Sequence, residues 1–238
     1  MKALRAVAIV LGVAGVMLLV VAGPGTRFGL VNFRTGLGLL RYAAYVGIAG
    51  MVFVLLALLI TRPRGAMLAT LLVAFVLAAV AVAAPWQFQR KAKAAPPIHD
   101  ISTDTQDPPA FVAVLPLRTN ALNPATYGGD SVAAQQHQAY PDIKPLALSV
   151  PPPVAFDRAL AAAKGMGWSI VAADSTAGRI EATATTPWFG FKDDVVVRIQ
   201  PAGSGSRLDV RSVSRVGKGD TGTNAARVRA YLARVSTA

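Results

Sequence analysis

The chain has 238 residues, a mean hydropathy of +0.47 and a net charge of +12. No cysteine is present, which excludes disulfides, a thiolate nucleophile, thiolate metal sites and a lipid-modified cysteine. All twelve acidic residues lie at or after Asp100 while ten cations precede it, so the positive charge marks the ends of apolar runs, not a basic nucleic-acid footprint on a folded domain.

No charged residue falls between Arg5 and Arg27, between Arg41 and Arg62, or between Arg64 and Arg90. Each gap is close to the roughly 20 residues that a spanning helix needs. Spans are expected at about 6–26, 42–61 and 66–88, within a transmembrane region 1–93 whose partner is the lipid bilayer. The stretch from Gly23 to Leu40, rich in glycine, reads as a short interfacial turn, and Pro63 breaks the second connection. Trp86 and Phe88 precede Arg90, Lys91 and Lys93, the aromatic-then-basic order of a helix leaving the hydrocarbon.

Lys2 and Arg5 followed by the run Ala6 to Ala22 resemble the start of a secretory signal, with a small-residue cleavage site at Val20-Val21-Ala22. Whether that segment is retained or removed, the count of spans delivers the rest of the chain outside. The distribution of Lys and Arg at the span ends leans the other way. The first span sets the expectation: a multi-pass protein of the cell inner (cytoplasmic) membrane with an extracytoplasmic, periplasmic domain.

Residues 94–153 hold Pro96-Pro97, Pro108-Pro109 and Pro151-Pro152-Pro153 and read as a Pro-rich, mostly extended wrap belonging to the soluble domain. Its strand candidate is Phe111 to Leu117, and the segment around Tyr127, Gly128 and Gly129 reads as a loop. The α+β core occupies 154–238. A helix from Val154 to Met166 stops at Gly165 and Gly167. Strands at Trp168 to Asp174 and Arg179 to Thr186 flank the turn Ser175 to Gly178; the second alternates, with Ile180, Ala182 and Ala184 on one face and Arg179, Glu181 and Thr183 on the other.

Strands at Asp194 to Gln200 and Arg207 to Val216 follow. Pairing Gln200 with Arg207 sets Ile199 opposite Leu208, Val197 opposite Val210 and Arg198 opposite Asp209, an apolar face and a charge-paired solvent face from one register. A final helix from Asn224 to Val235 gathers Ala225, Val228, Leu232 and Val235 in one stripe, with Arg227 and Arg234 nearly opposite. The expected fold is three transmembrane helices followed by an α+β domain, an antiparallel four-stranded sheet with two helices packed on one face. The other face is left to solvent, the wrap or a partner.

Several separated motifs run in order through this part of the chain: Pro96 to Asp104, Asp107-Pro108-Pro109 with Phe111, Tyr140 to Ile143, Gly167-Trp168, Gly178 to Ala182, Phe189 to Asp194, and Asp209 through Arg215, Gly217, Asp220, Asn224 and Arg227. Together they resemble the family called domain of unknown function 1499, over roughly Pro96 to Leu232. The resemblance implies an envelope or organelle-derived membrane-anchored protein. It carries over no activity, cofactor or catalytic residue.

The residues themselves offer binding candidates: His99, Asp100, Asp104, Arg215, Lys218, Asp220 and Asn224. His99 beside Asp100, with Ser102, Thr103 and Asp104, is raw material for a general base, yet adjacent residues of an extended segment point to opposite sides. The only other histidine, His137, has no ligand spacing toward it, so no metal and no cofactor are expected. Gly217 to Thr223 leads from strand to helix and lacks the Walker order; it reads as a turn with Thr221 or Thr223 as helix cap, and Arg215 and Lys218 are the cations for any anion there. Ser212 and Ser214 share the parity of Leu208 and Val210, so either their hydroxyls line a small pocket or a bulge turns Val213 inward. No catalytic set is assigned. The leading expectation is a non-enzymatic membrane-tethered domain that binds another envelope protein or a lipid-derived ligand. The alternatives are a membrane-surface hydrolase or transferase using His99 and nearby aspartates, and a structural subunit of a larger membrane complex.

Overall fold

The structure is a computed structural model that describes residues 1–237. It divides into two compact units, residues 1–90 with 187–190, and residues 91–186 with 191–237.

The first unit is built on three helices long and apolar enough to cross a membrane: α1 (Lys2–Arg27), α2 (Phe33–Thr61) and α3 (Gly65–Ala94). Their burial is inverted relative to a water-soluble bundle. Gly12, Gly15, Gly47, Ala43, Ala74, Ala78 and Ala81 are inside, while Val10, Met17, Leu55, Leu59, Ile60 and Val76 face outward. Hydrocarbon solvates large apolar side chains as well as a core does, so small residues take the interior because they let backbones approach. A Cβ on Gly12 would lie 2.5 Å from the Ala74 carbonyl oxygen.

The predicted turn over Gly23 to Leu40 is corrected: α1 runs on to Arg27, the connection is only residues 28–32, and α2 starts at Phe33. Asn32 caps α2, its side chain accepting from the Arg34 N–H at 2.9 Å. Gly36 is helical because α1 and α2 meet there; a Cβ would fall 2.1 Å from Thr26 Oγ1 and 2.7 Å from the Ala22 carbonyl oxygen. Glycine marks a close crossing here, and composition alone does not separate that from a turn.

The second unit is the α+β domain. Its strands are β1 (Asp100–Ser102), β2 (Leu146–Leu148), β3 (Ser169–Asp174), β4 (Arg179–Thr185), β5 (Lys192–Ala202) and β6 (Gly205–Ser214). They form an antiparallel sheet in the order β1-β6-β5-β4-β3, with β2 also on β6. The expected four strands are therefore β3 to β6, and the sheet has six because the wrap supplies two short edge strands. The predicted register holds: Gln200 faces Arg207, Ile199 faces Leu208, Val197 faces Val210 and Arg198 faces Asp209.

Two helices, α5 (Pro152–Gly165) and α6 (Thr223–Ser236), cover one face. Beneath them Ile180, Val195, Val197, Ile199, Leu208 and Val210 form the main core with Phe156, Val228 and Tyr231. Trp168 stacks on Tyr231 at 4.8 Å between ring centroids, and the Tyr231 hydroxyl donates to the Ala159 carbonyl at 3.0 Å.

The wrap departs from the extended reading. Phe111 to Leu117 is no strand but a turn running into a 3₁₀ helix, Leu115–Arg118, and a helix α4 (Asp130–Ala139) follows the Tyr127 loop. Gln136 of α4 closes the free side of β1: its side chain accepts from the Ser102 N–H at 3.0 Å and donates to the Ser102 carbonyl at 2.7 Å. A glutamine amide thereby stands in for a neighbouring strand.

Candidate functional site

The strand alternation that buries Ile180, Val195 and Val210 places Glu181, Thr183, Asp194, Val196, Arg198, Asp209, Arg211, Val213 and Arg215 on the opposite face. Of the three coverings expected for this face, solvent, the wrap or a partner, it is the wrap that takes it, so the Arg198–Asp209 pair does not face open solvent. Glu181, Asp194 and Asp209 are wholly buried, because residues 100–127 lie over them. Phe111 and Val114 of the wrap make a second apolar cluster with Val196 and Val213.

Ionised groups removed from water need partners, and each has them. Asp194 accepts from Arg118 at 2.5 Å, from Arg215 at 2.8 and 2.9 Å, and from the Thr183 hydroxyl at 2.8 Å. Asp100 forms a two-point pair with Arg211, which also donates to the carbonyls of Pro109 and Ala125 and lies over the Phe111 and Tyr127 rings. Glu181 receives the consecutive backbone N–H groups of Val112, Ala113 and Val114 at 2.9 to 3.1 Å. Three converging amides define a turn, which is why the predicted strand at Phe111 does not form.

Toward the other end of the same face, Asp104 accepts from Arg207 at 2.6 Å and Arg198 at 3.1 Å, and Asp209 is shared by the same two arginines. Partial burial works against the Asp104 carboxylate, but the N–H groups of Asp107 and Gln106 and the charges of Arg207 and Arg198 outweigh it and hold its pKa below the ordinary value. Tyr127 has a buried hydroxyl with no hydrogen-bond partner among the described residues, and burial pushes its pKa up to about 12.

On the helix side, Ser212 and Ser214 keep the parity of Val210, so Val213 does not turn inward. Nor do the hydroxyls line a pocket. Ser212 donates to Asn224 Oδ1 at 2.6 Å, Asn224 Nδ2 donates to Ser214 Oγ at 2.9 Å, and Arg227 binds Ser212, Asn224 and Asp193. Arg227 is thus turned into the sheet end, not away from it as the stripe suggested. Neither threonine is the helix cap: Gly222 holds that position, and the carboxylate of Asp220, two residues before it, accepts from the N–H groups of Gly222 and Asn224. Burial raises the Asp220 pKa despite those bonds.

The seven sequence candidates therefore divide. His99, Lys218, Asp220 and Asn224 meet at one corner, where His99 Nδ1 lies 3.2 Å from the Lys218 carbonyl and the His99 carbonyl accepts from Asn224 at 3.0 Å. Asp100, Asp104 and Arg215 sit on the opposite face, each in its own ion pair. No cluster of His99, Asp104 and Arg215 forms. Among the described residues no three His, Asp or Glu side chains gather as metal ligands would. Glu181, Asp194, Arg118, Arg198 and Arg211, which organise the charged face, were not singled out. The parity of β4 to β6 already carried that signal.

This face has an opening. A cavity of about 240 Å³ is lined by Asp107, Pro108, Pro109, Val112, Ala177, Arg179 and Arg198. The Arg179 side chain is one-third exposed and binds Glu181 through Nε at 3.2 Å; its two Nη groups have no partner among the described residues. Arg198 is held by Asp104, Asp107 and Asp209. The cavity thus joins apolar proline and valine walls to one available guanidinium edge.

A family model described as Protein of unknown function (DUF1499) matches residues 100–235. No curated protein matches the chain.

Proposed function

Because the chain belongs to the DUF1499 family and carries three helices able to cross a membrane, we propose that it is a membrane-anchored binding domain without an enzymatic step of its own. In this reading the domain stands on the extracytoplasmic side of the bacterial inner membrane. Its cavity takes the anionic end of a lipid-derived ligand or an acidic segment of another envelope protein.

The observation that supports it is Arg179. Around it every buried carboxylate and most guanidinium groups are paired within the domain, whereas Arg179, which lines a cavity with Pro108, Pro109 and Val112, keeps two Nη groups without a partner among the described residues. A carboxylate or phosphate there gains a charge-assisted pair while its apolar part lies against Pro108, Pro109 and Val112. The hydrolase or transferase alternative drew on His99 and nearby aspartates; His99 lies against the Lys218 carbonyl, while Asp100 is paired with Arg211 and Asp104 with Arg207.

The test is affinity capture of the tagged full-length protein in mild detergent, with identification of bound lipids and proteins. Wild type should retain a discrete anionic ligand or partner, and Arg179→Gln and Ala177→Trp should lose it while keeping the wild-type melting temperature. Equal retention by all three proteins contradicts the proposal.

A further inference from the structure

The soluble unit has two unlike ends. At one, β5 begins with Lys192 and β6 finishes with Ser214, and the 3₁₀ helix is fixed beside them. Arg118 reaches Asp194, Arg215 Nη1 donates to the Leu117 carbonyl at 2.8 Å, and the Leu122 N–H donates to the Arg215 carbonyl at 2.9 Å. Rigidly held in this way, Leu115, Leu117 and Leu122 are 45, 52 and 60 % exposed. A single exposed leucine is ordinary, but three within eight residues, mounted on a buried ion-pair network, form a surface.

Two cations stand free beside that surface. Lys192 and Lys218 are exposed, and their ammonium groups have no partner among the described residues. The carboxylates nearest to them are withdrawn: Asp193 and Asp194 are buried against Arg227, Arg118 and Arg215, and Asp220 accepts from the N–H groups of Gly222 and Asn224. Of the exposed acids, Asp107 and Asp174 belong to the opposite end, beside Arg198 and the β3–β4 turn, and Asp142 is held by Arg229.

We propose that this end is a docking surface for anionic lipid headgroups, with Leu115, Leu117 and Leu122 entering the interface and Lys192 and Lys218 meeting lipid phosphates. Charge complementarity favours lipid, and so does chain length. The sheet is entered at this end, since Asp100 pairs opposite Val213. Asp100 follows Arg90 by ten residues, of which the first four are helical, a reach of at most about 30 Å. Arg90 lies over the Trp86 ring at 5.0 Å, the aromatic-basic pairing of a membrane boundary. Apolar insertion plus basic residues is the combination that holds a surface at an anionic bilayer.

The cysteine-free sequence makes the test direct. Full-length protein carrying Leu117→Cys, Leu122→Cys or Thr176→Cys, the last in the distal turn, is labelled with an environment-sensitive fluorophore and reconstituted into phosphatidylcholine vesicles with or without phosphatidylglycerol. Labels at 117 and 122 should shift to the blue and be quenched by spin-labelled phospholipid, more strongly with phosphatidylglycerol, while the label at 176 behaves as in water. Lys192→Gln with Lys218→Gln should lower the phosphatidylglycerol increment several-fold. Three results overturn the proposal: aqueous iodide quenching 117 and 122 as well as 176, lipid quenching indifferent to phosphatidylglycerol and to the lysines, or shielding that scales with protein density without lipid quenching, which indicates contact between copies. None of these bears on the Arg179 cavity, whose test stands apart.

Discussion

The guanidinium of Arg211 meets the carboxylate of Asp100 through two bonds, 2.9 and 2.7 Å long, with both side chains at most 5 % exposed. The pair joins the first residue of β1 to the middle of β6 and, through Pro109 and Ala125, ties down the wrap on either side of it. Removing one partner leaves a charge in a dry site. Asp100→Asn should therefore destabilise the domain by about 3–5 kcal/mol, and Asp100→Asn with Arg211→Met should recover a large part of that loss. Pulse proteolysis of the full chain across a urea series, in mild detergent, reads both values.

Acid should act on two carboxylates in opposite directions. The Asp104 pKa is depressed in the folded state, so its contribution is present above the unfolded value near 3.8 and is lost as pH falls through the lower folded value. The Asp220 pKa is raised, so its buried charge weakens the fold at neutral pH and protonation relieves this as pH falls through the raised value. Melting temperatures from pH 7 downward should show Asp104→Asn flattening the loss below about pH 4, and Asp220→Asn removing a gain that begins at higher pH.

In the helical unit, Gly12→Val forces a branched side chain against the Ala74 carbonyl, a backbone atom that cannot swing away. Overpacking of this kind costs about 1–3 kcal/mol. Gly38→Ala, where a Cβ meets nothing within 4 Å, should leave stability unchanged or slightly raised. Thermal unfolding in detergent micelles, followed by helix circular dichroism, separates the two.

The parts of this fold legible in the sequence are those with a period. Runs without charge announce the helices, and one register for Gln200 and Arg207 orders both faces of the central hairpin. What escapes is set by partners distant in the chain. Nothing local to Val112, Ala113 and Val114 reveals that their amides converge on Glu181, some 70 residues later, although it is the only glutamate in the chain. Arg227 reads as solvent-facing by helix angle until Asp193 is known to lie beneath it. Of the seven candidate residues, Asn224 and Asp220 stand where a strand-to-helix turn puts them, whereas Arg215 takes its role from Asp194 across the sheet.

Hydrogen–deuterium exchange of the full-length protein in lipid nanodiscs addresses the central claim that the wrap closes the charged face of the sheet. The amides of Val112, Ala113 and Val114, though outside any strand or α-helix, should be protected to the level of β5 and β6 and lose that protection in Glu181→Gln, with α1 to α3 unaffected. Exchange of these three amides at the rate of a free loop in the wild-type protein would contradict the account.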